Sequence, residues 1–512
     1  MRSSFIHIEC LYEKVYCLFK LQYNLMGFKN IHFGVAEAET EKNEYPRLLI
    51  EGFLDAHGYI QEIIGSNKFL VLGPKGSGKS AIGSKLELEA KRRDDLFVKL
   101  NYLEGFPYNA FKELIPSNEA PEIKDPVGWE YLFLIELIDS FSKDPTHQCT
   151  SEVNFAKVVD ALGNLGLLPS ENLTRLVSIS TDKRFGVGIR DVLSGVLSSK
   201  KESIPFDKQM LFRTLQEVCY SSNTKPKHIV IIDGLDDVST KRERQYQSLA
   251  ALIIAADRMN KKLKGNGVNA KLVVLCRTDL FDRLKNPNKN KIKQVSTIIL
   301  DWYQDVKDIN STNLVKLVNL RAEISLGRDV DVFREFFPEK IQGNKQLIKV
   351  LFENTRHIPR DLIQLLNIIQ EQTKGNQPTQ ADIWNGIRKY SIDYFVSEID
   401  DTLTGFMTPE DIENSFLLLA LMGKNKFHIN EVEKKCKNDA RFEDFNYSKA
   451  LDILYNCSAI GNYNRNKSYY TWKYWNPYSQ IDPNQHIVVH KGLMKGLNIK
   501  YHHLAPKSND MW

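Results

Sequence analysis

Short apolar runs alternate with longer stretches of helical periodicity between about Phe69 and Leu300. Each run is three to five residues long, in keeping with short buried strands. The predicted strands are Phe69–Leu72, Leu96–Leu100, Ile229–Ile232, Leu272–Leu275 and Ile298–Leu300. This alternation is typical of an α/β unit built on a parallel sheet. Between the second and third strands, the stretch from Glu104 to Asn223 has helical spacing and predicts a helical insertion, with windows at Trp129–Phe141, Asn154–Leu165 and Gly188–Leu197.

The pattern changes twice after the last of these strands. From Asn313 to about Ser397 the spacing is helical throughout, and Pro359 stands where a proline in the first turn would begin a new helix. This region predicts an all-helical lid. Beyond Asp400, Thr408 and the proline after it predict another helix start.

The last hundred residues predict a winged helix. Two short helices fit Asn430–Lys437 and Asn446–Asn456, and the aromatic segment Ile460–Trp475 suits a β-hairpin. The predicted fold class is therefore an α/β core, a parallel sheet flanked by helices, with a helical insertion, a helical lid and a C-terminal winged helix. The predicted boundaries are 1–32 for an N-terminal extension, 33–310 for the core with its insertion at about 104–223, 311–400 for the lid and 401–512 for the winged helix.

Composition places the chain among ordinary globular proteins. It has 512 residues, a net charge of +5 and 42% hydrophobic residues, which excludes disordered and fibrous classes. The seven cysteines stand singly, without the CxxC spacing of a zinc site, and indicate a reducing compartment such as the cytoplasm. Apolar runs fall far short of the roughly 18 residues that a membrane helix requires, so no membrane span is expected. Met26 is an alternative start.

The clearest chemical signal is a phosphate-binding loop. Residues 73 to 80 fit the pattern G-x-x-x-x-G-K-[ST], with a predicted strand before them and a predicted helix after them. The glycines allow successive N–H groups to face phosphates, and the helix adds the positive end of its dipole. The pattern predicts that Lys79 reaches the β- and γ-phosphates and that the Ser80 hydroxyl binds Mg²⁺. The predicted nucleotide-binding residues are Gly73, Pro74, Lys75, Gly76, Ser77, Gly78, Lys79, Ser80 and Ala81.

A second acidic group is needed beside the metal. The apolar strand ending at Ile232 is followed by Asp233, our candidate metal-side carboxylate. Asp236 and Asp237 follow within four residues, and one of them could polarise the attacking water. Asp237 is the first choice as catalytic base and Asp236 the second. The alternative is that both residues only cap the next helix.

Two arginines are candidates for stabilising phosphate charge. Arg277 follows a predicted strand, where polar residues of a parallel sheet face the ligand crevice, and it is therefore a candidate for stabilising the γ-phosphate. The alternative is that it only anchors its own loop. Arg360 lies in the first turn of a predicted helix, where a cation opposes the helix dipole and needs compensation. Either a bound phosphate or the neighbouring Asp361 would provide that compensation.

Taken together, these residues resemble the bacterial P-loop ATPases of the AAA-related STAND group, close to KAP and origin-recognition-like ATPases. The resemblance covers about Phe33 to Ile499. It implies an extra strand between the P-loop strand and the acidic strand, a nucleotide held between core and lid, and ATP-driven opening or assembly. It also implies ATP and Mg²⁺ as cofactors and a homo-oligomer. Because the usual catalytic Glu is represented by Asp237, we expect slow or partner-activated hydrolysis. GTP is disfavoured because Asp233–Asp236 does not fit the DxxG motif and Asn288–Lys291 does not fit the guanine-reading NKxD motif.

The tail is the most basic part of the chain, with 14 Lys and Arg against 9 Asp and Glu from Ile412 to Trp512. Its predicted recognition helix carries only Lys449 as a cation, together with Asp452, which argues against sequence-specific groove reading. The residues expected to contact DNA phosphates or a protein partner are Lys449, Arg465, Lys467 and Lys473, the last on the return strand of the hairpin. Nonspecific DNA contact and protein docking stay equally open. The spacing of the tail's histidines disfavours zinc.

The leading hypothesis from the sequence is an ATP-driven switch that controls a protein partner in a bacterial multi-component system, with phage defence suggested by the resemblance alone. One alternative is a DNA-binding loader or repair ATPase that uses its winged helix. The other is a scaffold that holds ATP without hydrolysing it.

Overall fold

The computed structural model describes residues 27–114, 121–182, 185, 188, 196, 208–234, 243–284, 289–341, 343 and 345–502. The chain divides into two compact units. The sheet unit contains residues 42–46 and 55–301, and the helical unit contains the described parts of 27–41, 47–54 and 302–502. The predicted boundaries of the four domains stay predictions. The predicted helical window Gly188–Leu197 lies almost entirely outside the described residues.

A five-stranded parallel sheet organises the sheet unit. Its strands are β1 (Leu70–Gly73), β2 (Leu96–Tyr102), β5 (Lys227–Asp233), β6 (Ala270–Arg277) and β7 (Thr297–Ile299). A separate two-stranded antiparallel sheet is formed by β3 (Gln148–Cys149) and β4 (Ser222–Asn223). The order across the large sheet is β2-β5-β6-β1-β7. All five predicted strands are present. Strand β6 therefore lies between the P-loop strand and the acidic strand, which confirms the extra strand that the resemblance implies.

The three central strands are apolar because helices cover both faces of a parallel sheet. Every residue of β1 and β6 is buried, and only Lys227 of β5 is partly exposed. Parallel pairing sets Gly73 opposite Arg277 and Ile232 opposite Val274. The carboxyl ends of β1, β5 and β6 consequently meet at one edge of the sheet.

Helices make up most of the rest of the chain. Before the P-loop they are α1 (Ala38–Glu44), α2 (Pro46–Glu51) and α3 (Tyr59–Gly65). The sheet unit continues with α4 (Lys79–Ala90), α5 (Tyr108–Phe111), α6 (Pro121–Ser142), α7 (Phe155–Asn164), α8 (Leu173–Thr181), α9 (Lys208–Tyr220), α10 (Glu243–Gly265), α11 (Thr278–Arg283) and α12 (Lys289–Val295). The predicted insertion thus contains α5 to α9. The indole N–H of the buried Trp129 donates to the Ser248 carbonyl across 2.9 Å, which ties α6 to α10.

The helical unit begins its lid portion with α13 (Asn313–Leu326), α14 (Val332–Phe336), α15 (Leu347–Phe352), α16 (Pro359–Gln372), α17 (Gln380–Tyr390) and α18 (Val396–Thr404). A short hairpin of β8 (Lys340–Ile341) and β9 (Lys345–Gln346) interrupts them, and a π-helical turn, Ser391–Phe395, joins α17 to α18. Residues that favour helix N-termini begin two of these helices. The Thr312 side chain caps α13 by accepting from the N–H of Val315, and Pro359 occupies the first position of α16 as predicted.

The winged-helix portion contains α19 (Pro409–Met422), β10 (Lys426–Phe427), α20 (Ile429–Lys437), α21 (Tyr447–Asn456), β11 (Ile460–Asn464), β12 (Tyr469–Thr471), β13 (His486–Val489) and α22 (Lys491–Met494). The predicted hairpin is confirmed as β11 and β12. However, the sheet order is β10-β13-β11-β12, so the strand that completes the sheet is β13. The prediction that Lys473 lies on the return strand is wrong, because β12 ends at Thr471 and the Lys473 ammonium donates to the Ser479 carbonyl across 2.9 Å.

An extended segment, residues 27–36, packs on the lid helices of the same unit. Phe28, Ile31 and Phe33 are buried in its core. Gln370 donates to the carbonyls of Phe28 and Ile31, at 2.7 and 2.8 Å. Because polar side chains of the lid satisfy this backbone, the segment is an integral part of the helical unit. Among the described residues, no helix combines the length and the apolar character needed to span a membrane.

Candidate nucleotide site at the carboxyl edge of the sheet

The phosphate-binding loop connects β1 to α4. Gly76 and Gly78 adopt left-handed conformations, with φ of 83° and 94°, which side chains with a Cβ rarely adopt. A Cβ on Gly73 would lie 2.3 Å from the Ser77 hydroxyl oxygen. The loop therefore requires glycine at these positions for its own geometry, and it brings the backbone close to the N-terminus of α4.

Lys79 is the first residue of α4 and is 5% exposed. Its ammonium group donates to the carbonyls of Gly73 and Pro74, at 3.1 and 3.0 Å. These contacts hold the side chain against the loop rather than extending it into solvent. Ser80 and Ala81 complete the first turn of the same helix, where N–H groups are available to an anion.

Asp233 is the last residue of β5 and is 5% exposed. Its own carbonyl accepts from the N–H of Leu103 across 2.9 Å, and the next residue, Gly234, turns the chain with a φ of 77°. A Cβ on Gly234 would lie 3.0 Å from that same Leu103 nitrogen. The strand ends sharply here, and the Asp233 carboxylate stays at the carboxyl edge of the sheet. Carboxylate and hydroxyl oxygens suit Mg²⁺, so Asp233 and Ser80 have the chemistry that this ion requires.

Arg277 ends β6 and is 6% exposed. Its guanidinium donates from Nε and Nη2 to the two carboxylate oxygens of Asp279, at 3.0 and 2.7 Å. Burial would raise the pKa of Asp279, but the charges of Arg277 and Lys79 outweigh it and lower that pKa below its usual value. In this bidentate pair Arg277 anchors its own loop, which is the alternative role considered above. A role of Arg277 in stabilising phosphate charge stays a prediction.

Asp236 and Asp237, our two candidates for the catalytic base, lie outside the described residues. Their roles stay predictions. The helix that follows them, α10, begins at Glu243.

In the helical unit, Arg360 is the second residue of α16. Its Nε donates to the carbonyl of Ala36 across 3.1 Å, and its Nη1 lies 3.5 Å from a carboxylate oxygen of Glu398. The neighbouring Asp361 instead forms a bidentate pair with Arg356, at 2.9 and 2.7 Å. The carboxylate that offsets the Arg360 charge is therefore Glu398 rather than Asp361.

The predicted contact residues of the tail are separated by the fold. Lys449 is exposed in the first turn of α21, whereas Arg465 and Lys467 lie in the turn between β11 and β12. Lys473 is engaged with Ser479. Arg465 and Lys467 are thus adjacent, and their function as contact residues stays a prediction.

Sequence reasoning missed Asp279 and Glu398 as partners of the two candidate arginines. Asp279 had a visible signal, since it stands two residues after Arg277. The sequence carried no signal for the pairing of Glu398 with Arg360, because 38 positions separate the two residues and only the tertiary fold brings them together. Among the described residues, no cluster of three or more His, Cys, Asp or Glu side chains could hold a metal ion.

Comparison with known proteins gives one family match. Residues 312–397 match the model of the FunZ-associated C-terminal helical domain. This segment corresponds to helices α13 to α17, the π-helical turn and the first residues of α18. No curated protein matches the chain.

Two solved structures resemble the chain over most of its length. The Aeropyrum pernix ORC1 protein in complex with DNA has 12% identity and a TM-score of 0.34, and 91% of this chain and 93% of that chain are covered. Drosophila ORC bound to DNA has 12% identity and a TM-score of 0.26, with 94% and 91% covered. Such TM-scores do not by themselves define a fold, so the α/β P-loop assignment rests on the strand order and the loop geometry.

Proposed function

We propose that the protein is a Mg²⁺-dependent ATPase of the P-loop class that acts as a nucleotide-controlled switch. The observation that carries this proposal is the meeting, at one edge of a parallel sheet, of a left-handed glycine loop, Lys79 at the start of α4 and Asp233 at the end of β5. Loop N–H groups and the dipole of α4 would hold the phosphates. Lys79 would exchange the carbonyls of Gly73 and Pro74 for phosphate oxygens.

The proposed chemistry is transfer of the γ-phosphoryl group to water. A water oxygen bonds to the γ-phosphorus as the bond to the β,γ-bridging oxygen breaks, giving ADP and phosphate. Mg²⁺ held by Ser80 and Asp233 would neutralise developing charge on the phosphates. Asp237 would accept the proton of the water, with Asp236 as the second choice, and Arg277 and Arg360 are proposed to stabilise phosphate charge.

Equilibrium binding of a fluorescent ATP analogue in the presence of Mg²⁺ tests the nucleotide site. We expect Lys79→Ala to weaken binding by at least about tenfold, because a charge-assisted contact to phosphate is lost. Lys91→Ala is the matched control, since Lys91 is an exposed residue at the other end of the same helix. Absence of binding by the wild-type protein, or equal binding by the Lys79 variant, would contradict the proposal.

Phosphate release tests hydrolysis separately. We expect Asp237→Asn to retain ATP binding and to reduce turnover by about 10² or more, as for removal of a general base. Stimulation by duplex DNA would favour the loader or repair alternative, and binding without any turnover by the wild-type protein would favour the scaffold.

The setting that we propose is a bacterial multi-component system, in which ATP promotes homo-oligomerisation and the nucleotide state controls a protein partner. The resemblance of the motifs supports this setting, including a role in phage defence. Mass photometry with and without ATP tests the oligomer. Phage plating on cells with the intact or deleted gene tests the defence role, and unchanged plating would reject it.

A further inference from the structure

The winged-helix sheet buries a lysine without an anionic partner. Lys426, in β10, is 4% exposed. Its ammonium group lies over two aromatic rings, 3.6 Å from the ring centroid of Tyr463 and 5.0 Å from that of Tyr470. Within the described parts of the chain, no hydrogen-bond acceptor or carboxylate contacts this ammonium group. Buried charges in proteins are normally paired, so this lysine needs an explanation.

Two neighbouring lysines are paired with carboxylates. Lys424, two residues earlier, forms an ion pair with Glu431, and Lys491 forms one with Glu353. Lys491 is close enough to lower the pKa of Lys426, although burial is the larger cause of that shift. Glu431 and Glu353 are therefore each already neutralised by another lysine, and the charge of Lys426 remains uncompensated.

Further donors lie beside Lys426. Tyr470 is hydrogen-bonded to Tyr501, and the ammonium group of Lys345 lies 5.6 Å from the ring centroid of Tyr501. Lys345 is exposed and Tyr501 is 43% exposed, so this side of the cluster is open to solvent. We call the five residues Lys345, Lys426, Tyr470, Lys491 and Tyr501 the lysine–tyrosine patch. Its members carry three ammonium groups and two phenols, and Glu353 pairs with the ammonium group of Lys491.

We propose that the lysine–tyrosine patch binds a phosphate group. Phosphate oxygens accept several hydrogen bonds at once, and ammonium and phenol groups are the donors they require. A phosphate between Lys345 and Lys426 would supply the missing counter-charge. Two sources share this chemistry, namely free phosphate and the phosphodiester backbone of a nucleic acid. This site is separate from the P-loop and does not depend on the proposed ATPase activity.

The test uses the full-length chain carrying Lys79→Ala, so that the P-loop does not contribute. The midpoint temperature of its thermal unfolding is measured at increasing concentrations of inorganic phosphate. Chloride at equal ionic strength is the reference. In parallel, fluorescence anisotropy follows a labelled 20-nucleotide strand. We expect phosphate to raise the midpoint saturably, or the oligonucleotide to bind, because an anion that binds only the folded state stabilises it. A response to inorganic phosphate identifies a free-phosphate site, and a response to the oligonucleotide alone identifies the backbone.

Lys426→Met is the decisive variant, since it keeps the length and apolar contacts of the stem and removes the charge. We expect it to weaken the phosphate or oligonucleotide response by at least about tenfold. Lys424→Met is the matched control, because Lys424 lies on the same segment but is paired with Glu431. This variant should respond like the Lys79→Ala chain from which it is made. If Lys426→Met does not fold, Lys345→Met, at an exposed position, should give the same loss. Unchanged responses in these variants, or a parent protein that responds to neither probe, would overturn the proposal.

Discussion

Arg321 and Glu41 form a 2.7 Å ion pair in which both residues are more than nine-tenths buried. The same guanidinium donates to the carbonyl of Phe33 across 2.7 Å and to that of Gly52 across 3.3 Å. One arginine of α13 thus fixes three points of the chain that precedes the P-loop. Burial raises the pKa of Glu41 above its usual value, although Arg321 opposes this.

We expect Arg321→Met to lower the free energy of unfolding by about 3 kcal/mol, because it leaves the buried Glu41 charge without a partner. The double variant Arg321→Met, Glu41→Met should recover a large part of this loss, since a buried pair can often be replaced by apolar side chains. Urea unfolding of both single variants and the double variant gives the coupling energy. Additive effects would show that the pair does not act as a unit.

Gly34 and Gly58 provide a matched pair of glycine substitutions. Both have positive φ, 106° and 70°, but a Cβ on Gly34 would lie 1.8 Å from Nη1 of Arg321, whereas a Cβ on Gly58 meets nothing within 4 Å. We expect Gly58→Ala to cost about 1 kcal/mol of conformational strain. Gly34→Ala should cost several times more, because Arg321 must also move. Chemical denaturation of both variants measures the difference, and equal costs would exclude the steric explanation.

The buried Lys271 should make the stability of the fold depend on pH. It is 4% exposed and donates to the carbonyls of Ile63 and Ser66, at 2.6 and 2.9 Å. Burial, together with the charge of Lys227, lowers its pKa to about 7, although Glu62 opposes the shift. An unfolded lysine titrates near pH ~10.4. Between these values the unfolded state binds more protons, so stability attributable to Lys271 rises with pH, by about 1.4 kcal/mol per pH unit at most.

The measurement for Lys271 compares urea unfolding of the wild type and of Lys271→Met at pH values on both sides of 7. We expect the wild type to gain stability relative to the variant as the pH rises. Lys68→Met, which removes a more exposed lysine of the same unit, should parallel the wild type. A constant difference across the range would contradict the prediction.

The buried Asp361 should make the stability of the fold sensitive to acid. Burial would raise its pKa, but the charge and hydrogen bonds of Arg356, together with the Tyr394 hydroxyl, lower it below its usual value. A carboxylate with a lowered folded pKa contributes stability above its unfolded pKa of about 4, and this contribution is lost as the pH falls through the folded value. We expect Asp361→Asn to cost about 3 kcal/mol at neutral pH, because the buried Arg356 loses its bidentate partner and keeps only the 3.6 Å ion pair with Glu398.

The variant should also have a flatter acid unfolding profile than the wild type. Asp393→Asn is the control, since Asp393 is exposed on the adjacent π-helical turn. Circular dichroism between pH 2 and 7 follows the transition. Identical acid profiles for the wild type and Asp361→Asn would reject this role for the pair.

The sequence predicted those parts of the structure that local patterns determine. The strands around Val71 and Ile231 are short apolar runs, and the helix starts at Pro359 and Pro409 follow from proline and capping preferences. The position of β13 within the sheet was not predicted, because its partners β10 and β11 are separated from it in the sequence. Pairings such as Arg360 with Glu398, or Arg321 with Glu41, depend on tertiary contacts that leave no periodic signal.

The strand order of the winged-helix sheet has a consequence for biosynthesis. Strand β13 occupies an inner position between β10 and β11, although it is the last of the four strands to be synthesised. Until the ribosome has added Val489, β10 has no partner within the sheet, and its apolar Phe427 lacks the neighbouring Ile487. We therefore expect this sheet to form only after nearly the whole chain has left the exit tunnel, and nascent chains that stop before His486 to be substrates for chaperones and proteases.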